Sequence, residues 1–215
     1  MAVATQKPRK LAWAGLINSI QPRIRLLRSF DQRQHSYLGY ALGVQGFLDG
    51  REATFTVGIG AAAQAKHAFQ IGDEVEGAAE TIANPETEAV DLYKASGLRV
   101  KAQTGETATA SPPWHGVPPD LPTYRARGHR RLDPRTYDAK CLTCIWGCRM
   151  AVEMIIDQWK PNITRWRYET FCYGPKSCGL YAAGATRKVP GRKGMSWEEE
   201  NWVDEEATAH RGDDE

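Results

Sequence analysis

All five cysteines of this chain lie between residues 141 and 178, and that grouping limits its fold more than any other feature. The run Cys141-Leu142-Thr143-Cys144-Ile145-Trp146-Gly147-Cys148 holds three of them. Cys172-Tyr173-Gly174-Pro175-Lys176-Ser177-Cys178 holds the other two. Cysteines used only for packing would be scattered along the chain. Two clusters joined by a hairpin can bring four thiolates to one metal ion. The intervening residues read as such a hairpin. Val152, Met154 and Ile156 alternate with Glu153, Ile155 and Asp157. Lys160-Pro161-Asn162 reads as the turn, and Trp166 and Tyr168 alternate with Arg165, Arg167 and Glu169. Cross-strand pairing is then expected to set Glu153 and Asp157 on one face with Arg165 and Arg167.

The expected unit is a small Cys-rich β-hairpin module resembling a zinc ribbon. Cys141 and Cys144 form one knuckle, and Cys172 and Cys178 the other. Zinc accepts four tetrahedral sulfurs without redox cost. Two features differ from the usual pattern. The second pair has five intervening residues rather than two, and Cys148 is a fifth thiol. Cys141, Cys144 and Cys148 with one distal cysteine would equally suit an iron–sulfur cluster, so that cofactor stays open as the alternative. Disulfides are not expected in a reducing cytosol. The first ten residues carry Lys7, Arg9 and Lys10, and the apolar stretch after them is interrupted at Gly15 and Asn18. This does not read as a secretory signal, so the expected compartment is cytoplasmic. No apolar run approaches the roughly 18 residues of a membrane span, so no membrane partner is expected.

Charge divides the chain more sharply than its net +2 implies. Residues 1–10 form a basic arm of +3. Residues 11–102 are nearly neutral, and the Pro-rich segment 103–123 is slightly acidic. Residues 124–194 carry 15 basic and 5 acidic groups, a balance of +10. Residues 195–215 carry 1 basic and 9 acidic groups, a balance of −8. A strongly basic module beside an acidic tail points to a polyanionic partner, or to mutual docking of the two segments.

Residues 11–102 read as a small β domain with one short helix. The first strand is expected over Leu16 to Arg28, with Ile24 and Leu26 alternating with arginines, and the second over Tyr37 to Leu48. Asp49-Gly50 is a hairpin-turn signal, and Ala53, Phe55, Val57 and Ile59 make the third strand. Ala61 to Phe69 is alanine-rich and helix-prone. Strands follow around Val75 and around Leu98-Arg99-Val100. Three strands, a helix and two strands is the order of a five-stranded Greek-key barrel, and it resembles the OB-fold. The phrase Phe69-Gln70-Ile71-Gly72-Asp73-Glu74-Val75 adds to that likeness. The resemblance implies a face for single-stranded nucleic acid, oligosaccharide or another protein. With the Cys-rich module, the architecture is similar to replication protein A relatives, which join OB-folds to zinc modules. The expected class is therefore mostly β, an OB-like barrel with one helix, a Cys-rich metal module and extended tails.

Arginine can pair with phosphate and stack on bases, so Arg23, Arg25, Arg28, Arg33 and Tyr37 are candidate nucleic-acid contacts on the barrel. The small residues Gly39, Ala41 and Gly43 would let a ligand backbone come close. In the linker, Trp114 is expected to dock on a domain. Arg125, Arg127, His129, Arg130, Arg131 and Arg135 mix cations with aromatics just before Cys141 and read as a phosphate-seeking arm. Arg187, Lys188, Arg192 and Lys193 form a second basic loop. The acidic tail contains Trp197 and Trp202, which a purely solvating tail would not need. It is expected to dock on the basic module or on a protein partner.

No Gly-rich phosphate loop, metalloprotease helix or serine-nucleophile elbow is present, so no catalytic residues are assigned. The leading expectation is binding of single-stranded nucleic acid, DNA or structured RNA, with a structural metal. The alternatives are a protein–protein adaptor in a larger assembly and an iron–sulfur redox or accessory protein.

Overall fold

The computed structural model describes residues 9–29, 33–104, 108–157, 159–199 and 201–212. Most of the basic arm 1–10, Glu200 and the acidic end Asp213-Asp214-Glu215 lie outside the described residues. The chain forms β1 (Leu11–Arg28), β2 (Arg33–Leu48), β3 (Arg51–Ile59), α1 (Ala61–His67), β4 (Glu74–Thr81) and β5 (Leu92–Ala102). There follow α2 (Leu121–Arg127), β6 (Arg130–Arg131), and α3 (Pro134–Thr136), which runs into a wide helical turn over Tyr137–Cys141. Then come β7 (Gly147–Ile155), β8 (Thr164–Cys172), β9 (Arg187–Pro190), β10 (Ser196–Glu199) and α4 (Trp202–Thr208).

Eight strands make one mixed sheet in the order β2-β3-β5-β4-β1-β7-β8-β6. Because β2 also pairs with β1, the first five strands curl into a partly closed ring. The ring is thinnest between β3 and β5, where the ladder is the single parallel pair Val57↔Leu92. The fold is thus mostly β with few helices. Asp49 and Gly50 both take positive φ, 49° and 79°, which is the two-residue turn that matches strand twist. Gly39 has φ 132°, and a Cβ there would stand 2.0 Å from the Ile59 carbonyl oxygen. Only glycine lets β2 pass β3 at that point.

The long strand β1 serves both halves of the sheet. Its first residues pair with β4, nearly all of it pairs with β2, and Arg25–Arg28 pair in parallel with Ala151–Met154 of β7. Two register shifts bend it, at Ile17/Ser19 and at Arg23/Ile24. Such bulges add twist and reset which side chains point inward. One apolar cluster runs from Trp13, Ile20, Leu42 and Phe55 in the ring to Met150, Val152, Phe171 and Tyr173 in the β7–β8 hairpin.

The hairpin itself forms where expected, but its register corrects the expected charge pairing. Glu153 lies opposite Trp166, while Arg165 and Arg167 lie opposite Met154 and Val152. Asp157 instead meets Arg192 at 3.6 Å, and Arg167 donates to Glu169 on its own strand at 2.6 Å. The turn after Ile155 is longer than a Lys-Pro-Asn turn alone, and this shifts the pairing.

The alternation expected for β1 placed Arg28 among outward arginines. Arg28 shares parity with Ile24 and Leu26, however, and it is 2% exposed. Its guanidinium bonds Glu169 of β8 at 2.7 Å and Glu199 of β10 at 2.9 Å. The acidic tail therefore folds back onto its own chain. Asp204 of α4 also holds Arg131 at 2.8 Å. Removing one member of a buried ion network leaves the others desolvated and underpaired. We expect Arg28→Ala to lower unfolding free energy by about 3 kcal/mol in urea titration. That is the low end for such losses, because Arg187 and Arg33 still face Glu169 and Glu199.

Candidate functional site

Cys141 ends the wide turn after α3, and the chain reverses at once. The Cys144 amide donates to the Cys141 carbonyl at 3.1 Å, and the Gly147 amide to the Cys144 carbonyl at 3.1 Å. The Gln21 amide of β1 donates to both cysteine carbonyls, at 2.8 and 3.1 Å, and Tyr137 donates its hydroxyl to the same Gln21 side chain. Strand β1 of the ring thus grips the turn that carries Cys141 and Cys144. Gly147 is tight here, since a Cβ would come within 2.8 Å of the Cys141 carbonyl oxygen. Cys172 closes β8 opposite Gly147, and its sulfur accepts the Gly174 amide at 3.4 Å. A turn from Pro175 then brings Cys178 round.

As a result Cys141, Cys144, Cys172 and Cys178 line one cavity of about 10 Å³, with Trp114 and Tyr181 in its wall. The linker tryptophan therefore docks, as expected, and its carbonyl accepts the Ile145 amide at 3.0 Å. Burial pushes the Cys141 thiol up to about 12, and the neighbouring Cys144, Cys172 and Cys178 add to the rise. Burial likewise raises Cys144 to about 11, against the opposing amides of Trp146 and Trp114. Burial also raises Cys172. Among the described residues, no three or more His, Cys, Asp or Glu side chains are drawn within metal-ligating reach. The four thiols share a cavity without closing into a formed cage.

Cys148 is elsewhere. It is fully buried in the main core and its thiol meets the Pro22 carbonyl at 3.2 Å. His115 pairs with Thr143 at 3.0 Å and does not line the thiol cavity.

The basic candidates are mostly engaged within the fold. Arg23 and Arg25 share Glu88 at 2.7 and 2.5 Å, and Arg25 also lies over Trp166. Arg33 reaches Glu199 at 2.8 Å. Arg187 reaches Glu169 at 2.5 Å, beside Arg28. Tyr37 lies beneath the exposed Arg125, 4.9 Å from ring centre to guanidinium. Arg127 covers Trp146 and donates to the Tyr173 carbonyl at 2.8 Å. Arg130 stacks on Tyr181 at 3.9 Å and donates to the Pro175 carbonyl. Arg131 is buried on Asp204. Arg192 faces Asp157. Arg125, Arg135, Lys188 and Lys193 remain exposed. The arm before Cys141 is therefore α2, β6 and α3, held by its own chain.

Residue type and spacing did not single out Gln21 as the bracket of the first knuckle. They also missed a half-open cavity at the far end of the hairpin, between Trp159 and Trp197. A tryptophan in the polar turn Trp159-Lys160-Pro161-Asn162 was the available signal for the second. No protein-family model, curated protein or solved structure matches the chain.

The His35 and His129 rings lie 4.7 Å apart, tilted at 58°. Burial, then the cations Arg28 and Arg33, lower His35 from 6.5 to about 4. Burial, then His35 and the same arginines, push His129 well below its usual value. Burial works to raise Glu169, but Arg28, Arg187 and Arg167 outweigh it and hold its carboxyl low. All three folded-state values lie below the unfolded ones. Their stabilisation is complete above the unfolded values and is lost as pH falls. Urea midpoints should hold above pH 6.5 and decline through pH 4 as the histidines take up protons. A further drop should follow below 4.5 as Glu169 is neutralised.

Proposed function

We propose that the chain binds single-stranded nucleic acid through an OB-like barrel braced by a zinc-ribbon-like module. The observation that carries this reading is the ring order β1-β2-β3-β5-β4 returning to β1, with α1 between β3 and β4. That order and helix position resemble those of a five-stranded OB-type barrel, whose β2–β3 surface serves oligonucleotides and oligosaccharides. Gly43 of the corresponding surface sits between Ser19 and Thr56 in the ladder and is buried, the place of a Cβ being taken by the Ser19 and Asn18 side chains, so these polar groups would meet a ligand there.

Zinc is supported by the donor set. Cys141, Cys144, Cys172 and Cys178 come from two turns and face one cavity. About 10 Å³ is roughly the room of one water-sized sphere. That suits an ion better than an inorganic cluster, and the separate burial of Cys148 removes the triplet that a cluster would draw on. A bound zinc ion would be structural, with four sulfurs and no open position for water. It would tie the turn before β7 to the end of β8. Raised thiol values mean that ligation must displace protons, so retention weakens as pH falls.

The buried pairing of Arg28, Arg131 and Arg187 favours a second reading, a protein–protein adaptor whose arginines serve its own fold. Oligonucleotide titration separates the two. The binding reading expects affinity for single strands that falls linearly on a log–log plot against salt, whereas an adaptor shows none.

Metal analysis checks the brace. Chain purified without chelator should carry about one zinc ion. Cys148→Ala should retain it, and Cys144→Ala should lose it with a lower thermal midpoint. Visible absorption typical of iron–sulfur centres, with iron in place of zinc, would overturn the assignment.

A further inference from the structure

The end of the β7–β8 hairpin carries a feature that neither the thiol cavity nor the barrel face explains. Trp159 is 75% exposed there, the most exposed of the large apolar side chains among the described residues. The Trp159 amide donates to Asp157 Oδ1 at 3.0 Å, the Lys160 amide to the Asp157 carbonyl at 2.9 Å, and the Ile163 amide to the Lys160 carbonyl at 2.9 Å. These bonds hold the Trp159 backbone while its indole faces solvent. Trp159 lines a cavity of about 250 Å³ together with Trp197 of β10, Ile155 and Met195. Trp197 is seated against Gly191, where a Cβ would come within 2.6 Å of its ring. Gly191 is thus required for that wall, and its amide bonds the Met195 carbonyl at 2.6 Å.

Arg192 lines the cavity beside Asp157, its partner at 3.6 Å. Lys160 follows Trp159 and Lys193 follows Arg192, while the exposed Glu198 follows Trp197, so three cations stand against two acids at its edge. An apolar cavity lined by two indoles, with this excess of cations, fits a ligand with planar apolar faces on an anionic backbone. An acidic peptide supplies the charge, and planar rings only where it carries aromatic residues.

We propose that this slot takes an unstacked base of a single-stranded nucleic acid, with Trp159 as the stacking platform and the lysines and Arg192 contacting the flanking phosphates. The inference rests on the nucleic-acid reading above and places its base contact on the hairpin tip rather than on the barrel. Stacking on an aromatic side chain is sequence-tolerant, because every base offers a π-face. Arg192 can turn from Asp157 toward a phosphate, since their 3.6 Å contact is long, more than half of the arginine side chain is exposed, and the mostly buried Asp157 keeps the Trp159 amide as a donor.

The test titrates full-length chain with a short oligothymidylate and with an abasic strand of equal length, following tryptophan fluorescence and anisotropy at low salt. The wild-type chain should bind the base-bearing strand more tightly and lose indole emission. Trp159→Ala should weaken oligothymidylate binding roughly tenfold or more, the scale of one lost stack, and leave abasic binding unchanged. Trp159→Tyr should restore most of the difference. An unchanged thermal midpoint would show that the variants fold. Equal binding of both strands by wild type and Trp159→Ala overturns the slot while leaving the nucleic-acid reading in place. Indole quenching by an acidic peptide as strong as that by oligothymidylate overturns the base assignment in favour of a protein partner. No binding of either strand by wild type removes the underlying reading, and the slot with it.

Discussion

The geometry of this chain depends on one buried guanidinium. Arg28 stands at the end of the longest barrel strand and holds a carboxylate from the hairpin and another from the tail. Residues 28, 169 and 199 are far apart in sequence, so each bond closes a long loop. An arginine inside a protein must be surrounded by acceptors, and its planar fork admits few arrangements. Exchange for apolar residues of similar volume need not cost stability. What the network fixes is relative placement. Glu169 sits among Arg28, Arg167 and Arg187, and Glu199 between Arg28 and Arg33. A shift of either strand by one residue would turn a carboxylate out and leave cations in a dry environment.

The same constraint explains why β1 belongs to two halves of the sheet. Its inward residues pass from Trp13 and Ile17 to Ile20, Ile24 and Leu26 after the first bulge. The ring and the hairpin then share one apolar cluster, and the parallel β1–β7 pairing lies beside Arg28. Gln21 extends the coupling further, because the strand that lines the ring also holds the carbonyls of the first cysteine knuckle. Thiol cavity and barrel are therefore not independent. Movement of the knuckle is felt at β1, and an ion in the cavity would stiffen the strand that closes the ring.

Much of this was legible in residue order, and the exceptions have identifiable causes. The Asp49-Gly50 turn, the alternation of β3, the alanine-rich helix and the β7–β8 hairpin follow from local chemistry, and all formed within a few residues of expectation. The two cysteine clusters were legible from spacing, but the departure of Cys148 to the core was not, since its spacing suited a ligand equally. The fate of Arg28 was also written in parity, since it falls in phase with Ile24 and Leu26. A general rule that arginines face water concealed it. Tyr37 was harder to place. The bulge that pairs Arg23 with Gly39 but Ile24 with Tyr37 moves Tyr37 to the side of the core residue Ile24, and nothing local announces such a bulge. The partners of the arm were not legible at all. Arg131 meets Asp204 because α4 returns to β6, and that is a tertiary fact.

Charge totals consequently say little about which surface meets a polyanion. Residues 124–194 carry a balance of +10, yet much of it is spent against acids and carbonyls of the same chain. A cation that recognises phosphate must be solvated beforehand and must not leave a buried carboxylate behind when it moves. Arg28, Arg131 and Arg187 fail both conditions, since each is largely buried and each holds an acid. The exposed Lys160, Arg192 and Lys193 come nearer to them, since Arg192 has a single long contact and the Asp157 it would leave keeps the Trp159 amide. Nonspecific attraction scales with the sum of charge, whereas recognition depends on the small subset that remains free to exchange one partner for another. In this fold the exposed cations include Lys160, Arg192 and Lys193 near an exposed indole at the hairpin end, and Arg125 and Arg135 in the stretch that precedes the cysteines.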